Sequence, residues 1–92
     1  MDIFSKMAEK IIIEQEGVIG PIALEQAKKV HGLSVDLEKH QIIFSGNKTE
    51  ILEKLVEKYK QLFGQASIEV CKDAVRSMLS QIPQDQVPAL LR

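Results

Sequence analysis

The chain has 92 residues, 45% of them apolar and 27% charged, with a formal net charge of −1. That length admits one small domain, because single domains commonly run to about 100–200 residues, and these proportions exclude a disordered, collagen-like or membrane-spanning chain. Twelve basic against thirteen acidic side chains leave no excess for displacing counterions from nucleic-acid phosphate. With no Trp, one Tyr and three Phe, there is also little aromatic surface for nucleobases.

Over residues 2–16, Ile3, Phe4, Met7, Ala8, Ile11 and Ile12 recur at spacings of one and three, which predicts an amphipathic helix. Ile13 falls off that stripe. Gly17 and Gly20 bracket Val18 and Ile19, and Pro21 suits the first turn of a helix, so a tight turn should lead into a second helix over residues 21–30. Its inner side would be Ala23, Leu24, Ala27 and Val30, with Gly32 as its cap.

Helical periodicity fails over residues 33–46. Leu33, Val35 and Leu37 alternate, and residues 41–44 are rich in β-branched and aromatic side chains, which predicts a hairpin turning at residues 36–40. Asn47, three residues before Glu50, reads as the N-cap of a third helix with Ile51, Leu52, Leu55, Val56, Tyr59, Leu62 and Phe63 inward, stopped by Gly64. Ser67 reads as the cap of a fourth helix, with Val70, Cys71, Ala74, Val75, Met78 and Leu79 inward and Pro83 as its stop. Residues 82–92 form a C-terminal tail able to make one last turn. The expected fold is mainly α: a small single-domain helical bundle over residues 1–92, with about four helices, a short C-terminal helix or turn, and a short β-hairpin between helices two and three.

Chemistry-bearing residues are few. A zinc site needs four ligands at short spacings, and His31, His40 and Cys71 are unpaired in sequence, so no metal is expected. Cys71 lies on an apolar stripe, where burial would leave little thiolate. Ser45 lacks the flanking glycines of a nucleophile elbow, and the five glycines are too scattered for a phosphate loop or a dinucleotide fingerprint. Acyl carriers are another family of small helical domains, but the Asp-Ser pair that holds their prosthetic group is missing. No catalytic residue, cofactor or small-molecule ligand is therefore expected, and the chain reads as a non-enzyme.

The positive signal is apolar surplus. Ile13, Val18, Ile19, Val87, Leu90 and Leu91 have no assured place in the core, and exposed apolar surface marks partner sites. They predict a non-catalytic protein-interaction or oligomerisation module, a homodimer joined through helix one and the tail; the competing expectation is that the tail folds back onto its own helix four. The alternative function is a helix-turn-helix or winged-helix-like DNA-binding regulator, with Leu33, Ser34 and Val35 opening a recognition helix, an expectation weakened by the charge balance. The N-terminus lacks the pattern of a secretory signal and purely apolar runs stop at three residues, so no membrane association and a cytoplasmic location are expected.

Overall fold

In the computed structural model, which describes residues 2–92, the first helix is opened by Asp2, whose Oδ1 accepts the Ser5 amide proton at 2.9 Å. Helix α1 spans Ile3–Ile19 and buries the predicted stripe, from Phe4 and Met7 to Ile11 and Ile12. It runs three residues past its expected end, because Gly17 keeps helical backbone and the break falls at Gly20 (φ 76°, ψ −157°). Gly64 adopts nearly the same conformation (φ 76°, ψ −161°). That region is open essentially only to glycine. Each donates its N–H to the carbonyl four residues back, Gly20 to Glu16 at 2.9 Å and Gly64 to Lys60 at 2.7 Å, so one residue both ends a helix and turns the chain.

Helix α2 is short, Ile22–Lys28, and stops before the expected Val30; Ala23, Ala27 and Val30 are nonetheless buried. The hairpin forms where periodicity fails. Strands β1 (Leu33–Asp36) and β2 (Gln41–Phe44) pair antiparallel, with Leu33 opposite Phe44 and Val35 opposite Ile42. His40 takes the left-handed conformation (φ 52°) that closes the four-residue loop. The inner face packs on α1, with Phe4 and Phe44 edge to face at 6.5 Å and the Ser5 hydroxyl donating to the Ile42 carbonyl at 3.0 Å. Leu33, Ser34 and Val35 therefore lie in an extended strand, and the expected recognition helix is not formed: pairing with β2 and the packing of β1 on α2, which buries Leu33, override any helical tendency there.

Helix α3, Lys48–Phe63, begins as expected, with the Asn47 side chain accepting the Glu50 amide proton at 3.0 Å. Helix α4, Gln65–Val75, begins three residues earlier than expected. Ser67 is a buried residue inside it and not the cap, because the Gly64 corner already starts the helix. From Val75 the chain tightens into a 3₁₀ segment, Arg76–Gln81. With three residues per turn in place of 3.6, Met78 and Leu79 leave the α-helical stripe and are only half-buried, as is Val70.

The tail folds back in cis. Two 3₁₀ turns, Gln84–Gln86 and Ala89–Leu91, lay Val87, Pro88 and Leu91 into the core beside α3 and α4. The Thr49 hydroxyl donates to the Gln86 carbonyl at 2.8 Å, and Glu53 accepts the Leu90 amide proton at 2.9 Å. Among the described residues, no helix is long and apolar enough to cross a membrane.

Candidate functional site

The interior holds one polar cluster. Gln15 on α1 is fully buried, and its Nε2 donates to the Ser67 carbonyl at 3.0 Å and to the Cys71 Sγ at 3.3 Å, while its Oε1 has no protein partner. Tyr59 on α3, also fully buried, donates its hydroxyl proton to the Ala23 carbonyl at 2.7 Å. Burial pushes the Cys71 thiol up to about 11, opposed in part by the Gln15 hydrogen bond. Burial also raises the Tyr59 phenol well above its ordinary value, helped by the charges of Cys71 and Glu16. Both groups are held protonated at neutral pH; the Gln15 bonds tie α1 to α4, and the Tyr59 bond ties α3 to α2.

The other candidate groups lie apart from it. His40 is exposed, with Nδ1 at 3.1 Å from Glu9 Oε2, and His31 is exposed on the connection between α2 and β1. Among the described residues, no three His, Cys, Asp or Glu side chains gather as metal ligands.

The six residues read as an interaction surface do not share one face. Val87 and Leu91 are buried in the chain's own core and Leu90 is half-buried, because the tail covers itself against α3 and α4. Ile13 is 44% exposed, but it sits on the outer side of α1, away from the buried stripe and next to the Lys10–Glu14 ion pair. Val18 is 65% exposed in the last turn of α1, with Ile19 half-buried beside it.

Two further residues join Val18. Leu62 and Phe63, expected inside, are 47% and 40% exposed. Their stripe is continuous, but its covering is not: Tyr59 already reaches the first turn of α2 at Ala23, and the next turn of α3 overhangs. The Gln15–Ser67 bond brings the end of α1 to the start of α4, so Val18, Ile19, Leu62 and Phe63 sit at the same end of the bundle, around the corners made by Gly20 and Gly64.

No protein-family model, curated protein or solved structure matches the chain.

Proposed function

We propose that the protein is a small non-catalytic interaction module that self-associates through the end of the bundle bearing Val18, Leu62 and Phe63. The observation that supports this reading is the exposure of three large apolar side chains at one end of the bundle, whereas the other two exposed ones, Ile13 on α1 and Ile43 on β2, lie on separate elements. A second copy is the occupant we favour. An apolar patch is its own complement across a two-fold axis, closed pairs are the commonest soluble oligomers, and a net charge of −1 gives two copies little reason to repel. The tail has no part in the contact, since its apolar residues are spent within the chain. The two interior groups with nucleophilic potential, Cys71 and Tyr59, are buried, which fits a binding role better than catalysis. A cytoplasmic location accords with a single free thiol.

Light scattering across a concentration series tests the reading. A dimer that dissociates on dilution is expected, and Val18→Glu with Phe63→Glu should abolish it while leaving the circular dichroism spectrum unchanged. A wild-type protein that stays monomeric into the millimolar range, or a double variant that dimerises equally well, would overturn it.

A further inference from the structure

A cleft of about 300 Å³ lies between the end of α2 and the outer side of α3, lined by Lys29, Val30, His31, Lys54, Glu57, Lys58 and Gln61. It reaches along α3 as far as Gln61, just before the apolar end, and shares none of the three exposed apolar side chains. Three lysines face this space, and none of them forms a salt bridge among the described residues. Lys29 and His31 follow the carbonyl end of α2, where positive charge is favourable in any case. Lys54 and Lys58 lie further along α3, where Glu50 and Glu57 stand about one turn from Lys54 but no carboxylate stands one turn from Lys58. They stand one helical turn apart, an arrangement in which like charges repel, and they face a third lysine across the cleft. Glu57 lines the cleft beside these three charges, and Glu50 and Glu53 share the adjoining surface with Lys54.

We propose that this cleft binds a small dianionic phosphate group, held by Lys29, Lys54 and Lys58. The site lies at the small end of the range for ligand pockets, which suits a compact ligand. A multivalent anion relieves the mutual repulsion of the lysines, and Glu57 opposes it. Glu57 therefore supplies a signature that a merely structural lysine cluster lacks, because its neutralisation should tighten binding.

The test is a titration of the amide proton and nitrogen resonances with phenyl phosphate, and separately with inorganic phosphate, at ionic strength held constant with sodium chloride. Saturating shifts confined to residues 29–31 and 54–61 are expected with both probes, since the phosphate is the group they share. Lys54→Gln and Lys58→Gln should each raise the half-saturating concentration by about fivefold, in keeping with one lost charge contact at a protein surface. Glu57→Gln should lower it, and Lys60→Gln, on another side of α3, should leave it unchanged. Shifts that never saturate or that spread over every lysine would overturn the proposal. So would equal losses for Lys54→Gln and Lys60→Gln.

Discussion

The hydroxyl of Tyr59 on α3 donates its proton to the main-chain oxygen of Ala23 on α2 at 2.7 Å, and Tyr59 is completely buried. That carbonyl lies in the first turn of a seven-residue helix, and the bond fixes α2 against α3. Tyr59→Phe keeps the ring but leaves a carbonyl without this partner, so chemical denaturation should show a loss of about 1–3 kcal/mol. A loss near zero would mean that water reaches the carbonyl.

Two glycines in helical surroundings should respond in opposite ways to the same substitution. Gly64 holds φ at 76°, and although a Cβ there would meet nothing within 4 Å, the conformation itself penalises an L side chain. Gly64→Ala should cost about 1–3 kcal/mol. Gly17 lies inside α1 with ordinary helical backbone and open space around its Cβ position. Gly17→Ala should stabilise the protein by about 0.5–1 kcal/mol, through the entropy that glycine loses on entering a helix. Thermal melts of the two variants check both signs.

Alkaline stability should follow Cys71. Its thiol rises from an ordinary 9.0 to about 11 in the fold, so the unfolded chain gives up this proton first as pH increases. The stabilisation is fully present below pH 9 and is lost between pH 9 and 11, by about 2–3 kcal/mol if burial is the whole cause. The Tyr59 phenol, raised by burial too, adds to the loss above its ordinary value of 10.0. Unfolding free energies measured across that range should fall, and Cys71→Ala should flatten the first part of the decline. At neutral pH a thiol reagent should label native protein only as fast as the fold opens.

Leu91 is nearly the last residue of the chain and is 2% exposed, whereas the ends of domains are ordinarily frayed. Leu91→Ala should cost about 2–4 kcal/mol, the range for a large core side chain. A chain shortened to residues 1–81 should lose more, because Ile82, Val87 and Pro88 leave the core with it. A cost for Leu91→Ala below about 0.5 kcal/mol, the level of an ordinary surface change, would show that the tail is not docked in solution.

Local chemistry in the chain was enough to place the start of α3, the break at Gly64 and the hairpin, but not the ends of α1 and α2 or the start of α4. The Asn47 cap depends on one side chain and an amide three residues on, the Gly64 break on a backbone region closed to other residues, and the hairpin on alternation between Leu33 and Val35 and between Ile42 and Phe44. Each is settled within a few residues of sequence. Burial at the ends of the elements was decided only in three dimensions. Leu62 and Phe63 continue a core stripe yet meet solvent, because α2 begins opposite Tyr59 and leaves the last turn of α3 uncovered. Val87 and Leu91 look like spare apolar residues of a tail yet are core, because α3 and α4 leave a groove of the right length beside them. The convergence of Lys29 with Lys54 and Lys58 is of the same kind, since residues more than twenty positions apart meet only through the packing of α2 on α3. Periodicity reports which side of a helix is apolar; what covers that side depends on where its neighbours stop.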